Sequence, residues 1–332
     1  MEYRKLGMTD LELSAITYGS FAIGGTMWGG TQKEDAISAI RASLDHGITT
    51  IDTAPFYGLG LSEEMIAEAI RGKDRSKIQL LTKFGMVWDG SNNGKGRFFF
   101  NVDNDGKNYP VYIYAGRSNV IKEAEESLKR LKTDYLDLLQ LHWHDPNTPI
   151  DETMEALQQL IDQGKIRAAG VSNFTKDQMA EAEQGILLAS NQMPYSMLNR
   201  GIEAEVVPHA IAKSIGLIAY SPLERGLLTG KYFEGAHLTE DDHRNGYFSQ
   251  FDLKKVQKFL ESIKPLADQK GATLAQLVLR WTTLQPGITV VLAGARNAEQ
   301  AIGNAGAMNI SISDDEMKHI NSELAKVTTK DN

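Results

Sequence analysis

The sequence predicts an α/β fold, a closed (β/α)8 TIM barrel that forms a single domain over residues 1–332. Three observations predict it. Short apolar segments recur along the chain, amphipathic helical segments separate them, and no linker rich in Pro, Gly or Ser divides the sequence. Apolar strands that alternate with helices are typical of a parallel sheet covered on both faces, and such barrels reach this length as one domain.

Eight nearly continuous apolar segments are the predicted barrel strands. In chain order they are ITYGS, TTIDTA, IQLLTKF, YLDLLQLHW, IRAAGVS, ILLASNQ, GLIAYS and ITVVLAGA. An N-terminal β-hairpin and a C-terminal helix complete the predicted fold. In barrels of this kind the loops that follow the strands build the active site.

Capping patterns predict where two of the helices begin. Thr31 with Glu34 matches a capping box before the first long amphipathic segment, and Gly47 is expected to end that helix. Ser313 with Glu316 matches a second capping box, which predicts the start of the C-terminal helix.

Composition excludes several classes of function. The net charge of −8 is spread along a chain that is 42% hydrophobic and 23% charged, without a Lys/Arg cluster, so neither nucleic acid nor an anionic membrane is an expected partner. The chain has no cysteine, which excludes disulfides and thiolate metal sites, and no metal site is predicted. The first residues, MEYRKLGMTDLELS, lack the apolar segment of a secretory signal, and a cytoplasmic location is therefore expected.

Four ionisable residues stand at or just beyond the ends of predicted strands: Asp52, Tyr57, Lys83 and His142. If these strand ends are adjacent, the Lys83 ammonium would lower the pKa of the Tyr57 phenol, and Asp52 would hold Lys83 charged. His142 could donate a hydrogen bond to a reacting carbonyl oxygen. The four side chains together predict a site that delivers a proton to such an oxygen.

Six motifs, in chain order, resemble the aldo-keto reductase family, particularly its bacterial members with an ERGLLTGK loop. They are DTAPFYG at 52–58, Lys83 in LTKFG, His142 in DLLQLHW, GVSNF at 170–174, NQMPYS at 191–196 and AYSPLERGLLTGK at 219–231. The resemblance covers essentially the whole chain. It implies an NADPH-dependent oxidoreductase that reversibly reduces aldehydes or ketones to alcohols, with Tyr57 as the general acid.

The resemblance also implies where NADPH (NADP⁺) binds. Ser172, Asn173 and Gln192 resemble the residues that hold the nicotinamide carboxamide, and Tyr220 would stack on the ring. The loops after strands seven and eight would bind the pyrophosphate and the adenosine. Their expected contacts are Ser221, Pro222, Leu223, Arg225, Gly226, Leu228, Gly230, Lys231, Gly294, Arg296, Gln300 and Asn304.

Aromatic residues near the strand ends define the expected substrate pocket, which includes Trp28, Phe56, Trp88 and Trp143. Small aromatic, aliphatic or sugar-derived carbonyl compounds, or the corresponding alcohols, fit this expectation, and the sequence does not choose among them. The long segment 86–118 is interpreted either as a lid over the site or as a β-hairpin packed on the barrel rim. The sequence leaves the oligomeric state open.

A second hypothesis comes from a different functional class. The chain also resembles the potassium-channel β subunits, which keep the reductase fold and act chiefly as regulatory partners. On this hypothesis the protein binds a nicotinamide cofactor and has weak catalytic activity. The complete set of four candidate catalytic residues favours turnover instead.

Overall fold

The structure, a computed structural model, describes residues 1–25, 31–104, 106–235, 238, 242 and 244–328. Its strands are β1 (Tyr3–Lys5), β2 (Glu12–Ser14), β3 (Ile16–Gly19), β4 (Thr50–Asp52), β5 (Gln79–Phe84), β6 (Met86–Val87), β7 (Arg97–Asn104), β8 (Lys107–Ile113), β9 (Leu136–Leu141), β10 (Ile166–Ser172), β11 (Leu188–Pro194), β12 (Gly216–Tyr220) and β13 (Ile288–Ala293). Its helices are α1 (Lys33–Asp45), α2 (Leu61–Ala69), α3 (Arg117–Leu131), α4 (Ile150–Asp162), α5 (Lys176–Ala182), α6 (Val206–Lys213), α7 (Arg244–Phe248), α8 (Leu253–Gln269), α9 (Leu274–Thr283), α10 (Ala298–Gly306) and α11 (Asp314–Thr328).

Eight parallel strands close into a barrel in the order β3, β4, β5, β9, β10, β11, β12 and β13, and β13 pairs with β3. Each of the eight predicted segments coincides with one of these strands, although β11 extends two residues beyond its predicted segment, and this confirms the predicted (β/α)8 fold. In the described part of the chain, none of the helices is long and apolar enough to cross a membrane.

The lower part of the barrel interior is filled by aliphatic side chains. They form one buried cluster that comprises Leu6, Leu11, Leu13, Leu81, Leu138, Ala168, Ala189, Ile218, Val290 and Leu292. The first three belong to the N-terminal segment, where β1 and β2 pair as the expected antiparallel hairpin. Because apolar side chains close this end, the opposite end is where polar groups can face an open cleft.

The two predicted capping boxes have different outcomes. At α11 the box forms, since the Ser313 amide donates to Glu316 Oε2 at 2.7 Å and the Glu316 amide donates to Ser313 Oγ at 3.3 Å. At α1 the prediction is wrong. Gln32 occupies the N-cap position, and the Thr31 hydroxyl lies 3.4 Å from the Ala22 carbonyl oxygen instead.

The segment between β5 and α3 forms a three-stranded antiparallel sheet in the order β6, β8, β7, which we call the cover sheet. The predicted β-hairpin is therefore confirmed, with β6 as an additional strand. Its residues Met86, Val102 and Val111 are buried in one cluster with Phe56, next to Tyr57. The cover sheet thus packs over the end of the barrel that carries the candidate catalytic residues.

Two buried acidic side chains fix the base of the cover sheet. Glu123 Oε2 accepts a hydrogen bond from the Gly85 amide, and Asp145 Oδ2 accepts one from the Ala115 amide, both at 3.0 Å. Glu123 also accepts from the Asn119 amide, and burial raises the pKa of Glu123 to about 8. One end of the inserted segment is therefore tied to α3 and the other to the loop that follows β9.

Candidate active site

Asp52, Lys83 and Tyr57 meet at the carboxyl end of the barrel. Lys83 Nζ lies 2.6 Å from Asp52 Oδ1, 3.3 Å from the Tyr57 hydroxyl and 2.9 Å from the Thr53 carbonyl oxygen. Asp52 and Lys83 are each 1% exposed. They lie side by side because each is at or near the end of its strand, and β4 pairs with β5.

Two glutamines hold the other carboxylate oxygen of Asp52. Gln192 Nε2 lies 2.8 Å from Asp52 Oδ2, and Gln140 Nε2 lies 3.4 Å from it. Gln140 was not among the sequence-predicted site residues. Its position could have identified it, because Gln140 lies two residues before His142 and alternate residues of a strand face the same side.

The Tyr57 ring packs between two other rings. Its centroid lies 4.9 Å from that of Phe21 and 5.9 Å from that of His142. Burial raises the pKa of Tyr57 above its ordinary value, the Asp52 charge raises it further, and the Lys83 ammonium offsets these effects only in part. The expectation of a lowered phenol pKa is therefore wrong, since burial outweighs the ammonium. A phenol in this setting is protonated at neutral pH, the state that a proton donor requires.

Burial and charge also determine the states of His142 and Lys83. Burial and the nearby Lys83 ammonium hold the pKa of His142 well below its usual range, so its imidazole is neutral at pH 7. Burial alone would lower the pKa of Lys83, but Asp52 and Tyr57 more than offset it and raise that pKa. The site therefore combines a cationic lysine, a neutral histidine and a protonated tyrosine.

The predicted carboxamide-binding residues lie together on the adjacent rim. Asn173 Nδ2 lies 3.0 Å from Ser172 Oγ and 3.2 Å from the His142 carbonyl oxygen, and the Tyr220 hydroxyl lies 2.9 Å from Asn173 Oδ1. Asn173 has a positive φ of 62°, which turns its side chain out of the strand direction. Gln192, the third residue predicted to hold the carboxamide, differs from Ser172 and Asn173 because its amide group contacts Asp52.

The loop after β12 has an irregular backbone. Positive φ angles occur at Ser221 (56°), Arg225 (54°), Gly226 (93°) and Gly230 (84°). Pro222, Leu228 and Gly230 are buried, whereas Leu223 and Arg225 are partly exposed. Successive left-handed residues of this kind turn backbone amides toward one side, an arrangement that suits an anion.

Two cationic side chains lie on this loop. The Arg225 guanidinium lies 3.8 Å above the ring of Tyr247, whose hydroxyl donates to the buried Glu224 carboxylate. The Lys231 ammonium lies close to the loop backbone at Gly226, because a Cβ built on that glycine would be 3.6 Å from Lys231 Nζ. The loop thus offers positive charge beside the amides.

The loop after β13 contains the residues expected to contact adenosine. Asn304 Nδ2 lies 3.0 Å from the Gly294 carbonyl oxygen, and Gln300 Oε1 accepts from the Arg296 amide at 2.9 Å. Burial and repulsion from Arg244 lower the pKa of Arg296. Arg244 itself donates to Asp242 and to the Tyr232 hydroxyl. A guanidinium is a donor group that a phosphate prefers, so Arg296 and the residues of this loop fit a phosphorylated dinucleotide.

Aromatic side chains cluster next to Tyr57, one of the candidate catalytic residues. The Phe56 ring centroid lies 6.2 Å from that of Trp88 and 5.7 Å from that of Phe100, and the Phe99 and Trp143 centroids lie 5.4 Å apart. The structure thus brings three residues of the predicted pocket, Phe56, Trp88 and Trp143, into one cluster with the cover sheet. Sequence reasoning did not place Phe99 and Phe100 in this pocket.

Trp28, the remaining residue of the predicted pocket, lies outside the residues that the structure describes.

Comparison with known proteins gives a consistent result. The Aldo/keto reductase family profile matches residues 15–325. Aldo-keto reductase YhdN of Bacillus subtilis (strain 168) is 39% identical over 330 residues, which cover 98% of this chain and 94% of that protein. The NADH-specific methylglyoxal reductase of Escherichia coli (strain K12) is 35% identical over 320 residues, which cover 93% of this chain and 94% of that protein.

Two further similarities bear on function and fold. A protein of Arabidopsis thaliana named "Probable voltage-gated potassium channel subunit beta" is 31% identical over 324 residues, which cover 93% of this chain and 92% of that protein. The solved structure of the glycerol dehydrogenase AKR11B4 from Gluconobacter oxydans superposes with a TM-score of 0.87 at 35% identity, and the match covers 99% of this chain and 97% of that chain.

Proposed function

This chain belongs to the aldo/keto reductase family and is therefore an oxidoreductase, and we propose that it reduces aldehydes or ketones to alcohols, reversibly, with NADPH as cofactor and Tyr57 as the general acid. One observation carries the proposal. Lys83 Nζ is within hydrogen-bonding distance of both the Asp52 carboxylate and the Tyr57 hydroxyl. This arrangement suits the transfer of a proton from a phenol that is then left as an anion.

Each catalytic residue has a distinct task in this proposal. Tyr57 gives its phenolic proton to the carbonyl oxygen, and the Lys83 ammonium stabilises the phenolate that remains. Asp52 keeps Lys83 charged and fixes its position. The neutral His142 donates an N–H to the same carbonyl oxygen and so orients the substrate. In the reverse direction the Tyr57 phenolate accepts the alcohol proton.

A bound NADPH supplies the hydride for this reaction. Ser172 and Asn173 would hold its carboxamide, because their polar side chains lie at the barrel rim beside His142. The loop from Ser221 to Lys231 would hold the pyrophosphate through its amides and cationic side chains. Arg296 would bind the adenosine 2′-phosphate, which supports a preference for NADPH over NADH.

The cofactor proposal needs a direct test, because the E. coli relative is named as NADH-specific. We expect titration of the intrinsic tryptophan fluorescence to give a lower Kd for NADPH than for NADH. Equal Kd values for the two cofactors would contradict the role given to Arg296.

Steady-state oxidation of NADPH and NADH across a panel of aldehydes and ketones tests the activity itself. We expect turnover of at least one carbonyl substrate and its loss in Tyr57→Phe. Tight cofactor binding without turnover of any carbonyl compound would instead favour the regulatory alternative, which the similarity to the potassium channel subunit supports.

A further inference from the structure

We propose that Phe99 and Phe100 form an aromatic wall of the substrate site and make the protein selective for aromatic carbonyl compounds over small polyhydroxylated ones. The inference rests on the proposed function, since it names the substrate class of the same site. Its structural basis is a β-bulge in the cover sheet, which turns two consecutive rings toward the barrel.

The bulge is visible in the pairing of β7 with β8. Phe98 pairs with Tyr112, whereas Phe100 pairs with Val111, so Phe99 is an extra residue on its strand. In a regular strand Phe99 and Phe100 would point to opposite faces. The bulge breaks this alternation, and the two ring centroids lie 4.9 Å apart. Bulges that redirect a side chain are found next to active sites more often than elsewhere.

Both rings contact side chains that neighbour the catalytic residues. The Phe100 ring packs edge-on against Phe56, whose chain neighbour is Tyr57, with 5.7 Å between centroids. The Phe99 ring packs against Trp143, whose chain neighbour is His142, with 5.4 Å between centroids. A carbonyl group held between Tyr57 and His142 would therefore have its substituents beside these rings.

The wall is held in a fixed position. The Arg97 guanidinium lies 5.4 Å from the centroid of the Phe99 ring, and Val102 and Val111 anchor the sheet in the buried cluster with Phe56. At the base, the buried Glu123 and Asp145 bind backbone amides at the two ends of the segment. An aromatic substrate would therefore meet rings that are already ordered, which reduces the entropy lost on binding.

The chemistry of the wall discriminates between substrate classes. Aromatic rings pack favourably against other aromatic rings in offset or edge-to-face arrangements. Hydroxyl groups buried against the same rings would lose their hydrogen bonds to water without new partners. The wall therefore favours benzaldehyde-like substrates over glyceraldehyde.

The test compares two substrates in one enzyme preparation. The quantity measured is the kcat/KM for 4-nitrobenzaldehyde divided by the kcat/KM for glyceraldehyde, a ratio that does not depend on the fraction of active protein. We expect a wild-type ratio above one and a fall of about 10-fold or more in Phe99→Ala. Phe98→Ala is the matched control, because the Phe98 ring is 49% exposed and packs on Tyr112 instead. It should change the ratio by less than about twofold.

Phe99→Leu is a second variant that should fold even if Phe99→Ala does not, because leucine preserves most of the apolar volume. It should reduce the ratio in the same direction. A wild-type preference for glyceraldehyde would overturn the inference. Equal ratios in Phe99→Ala and Phe98→Ala would overturn it as well.

A binding measurement separates this inference from the proposed function. Benzamide has an aromatic ring and a carbonyl that is not reduced, and its Kd can be measured by calorimetry without turnover. If the wild type reduces no carbonyl compound, the proposed function fails. In that case the aromatic-wall proposal is still supported if Phe99→Ala weakens benzamide binding about 10-fold relative to Phe98→Ala. It is contradicted if the two variants bind benzamide equally.

Discussion

The amide of Gln192 donates a hydrogen bond of 2.8 Å to Asp52 Oδ2. Lys83 donates to the other oxygen of this carboxylate, Oδ1. Gln192 lies on β11 and Asp52 on β4, so the contact crosses the barrel. Together with Lys83 on the neighbouring strand, it fixes the buried carboxylate from two directions. Gln192 thus supports the candidate catalytic residue Asp52, in addition to the carboxamide contact that its resemblance to the family implies.

Replacing Gln192 with leucine should destabilise the protein and slow the reaction. Hydrogen bonds to charged groups are worth about 1.5–3 kcal/mol, so the free energy of unfolding in urea should fall by about that amount. The turnover number should fall too, because Asp52 then holds Lys83 less firmly. Gln184→Leu is the control, since that side chain is exposed on the protein surface. Unchanged stability in Gln192→Leu would show that the contact contributes little.

Tyr57→Phe should abolish most of the activity without disturbing the fold. The variant keeps the ring contacts with Phe21 and His142 but removes the acidic proton. General acid catalysis is worth roughly 10²- to 10⁴-fold, which sets the expected decrease in kcat for carbonyl reduction. Cofactor binding, measured by fluorescence, should remain nearly intact. Tyr112→Phe removes the same atom from the cover sheet and serves as the control.

Near wild-type turnover in Tyr57→Phe would show that another residue is the acid. His142 would be the first candidate, although burial and Lys83 keep its pKa well below the usual range.

Lys83→Met should lower both activity and stability. It removes the ammonium that stabilises the phenolate, and it leaves the buried Asp52 carboxylate without its cationic partner. Breaking a buried ion pair in this way costs about 3–5 kcal/mol, which thermal or urea unfolding can detect. Adding Asp52→Asn to Lys83→Met removes the unpaired charge and should restore much of the stability but none of the activity. A double variant as unstable as Lys83→Met would contradict this explanation.

Arg296→Ala should weaken NADPH binding and leave NADH binding nearly unchanged. A charged hydrogen bond is worth about 1.5–3 kcal/mol, so the Kd for NADPH should rise about 10- to 100-fold. Arg117→Ala removes a guanidinium that pairs with Glu155 on α4, and it should change neither Kd. Equal weakening of NADPH and NADH in Arg296→Ala would indicate that Arg296 acts on the shared part of the cofactor.

Glu123 should make stability depend on pH. Its pKa is raised from 4.5 to about 8 in the folded protein, so folding favours the protonated carboxyl. This contribution is fully present below the unfolded pKa and is lost as the pH rises to about 8. Between these values the wild type should lose up to about 1.4 kcal/mol of stability per pH unit relative to Glu123→Gln. Urea unfolding of both proteins at pH 5 and pH 9 measures the difference.

Parallel stability curves for the wild type and Glu123→Gln would contradict that prediction. Glutamine has nearly the same shape as glutamate, and its Oε1 can keep the contact with the Gly85 amide. The comparison therefore isolates the ionisation of Glu123 from its packing.

Local sequence determines the barrel and much of the candidate active site. Strands buried on both faces need nearly continuous apolar residues, and this requirement made all eight barrel strands recognisable. A charged residue at the end of such a strand is an exception to the pattern, which is why Asp52 and Lys83 could be singled out and correctly placed near each other. The Ser313–Glu316 capping box was predictable because both partners lie three residues apart, although the equally local Thr31–Glu34 pair does not form one.

Only the tertiary structure decided three features of the site. The partner of Gln192 lies 140 residues away in sequence, and the barrel closure alone brings the two together. The pKa of Tyr57 is raised because burial by surrounding elements outweighs the Lys83 charge. Phe99 and Phe100 face the site because β7 and β8 pair with an extra residue between Phe98 and Phe100. The contact between Gln192 and Asp52, the burial of Tyr57 and the register of β7 and β8 all depend on how remote segments meet. Local residue patterns therefore do not predict them.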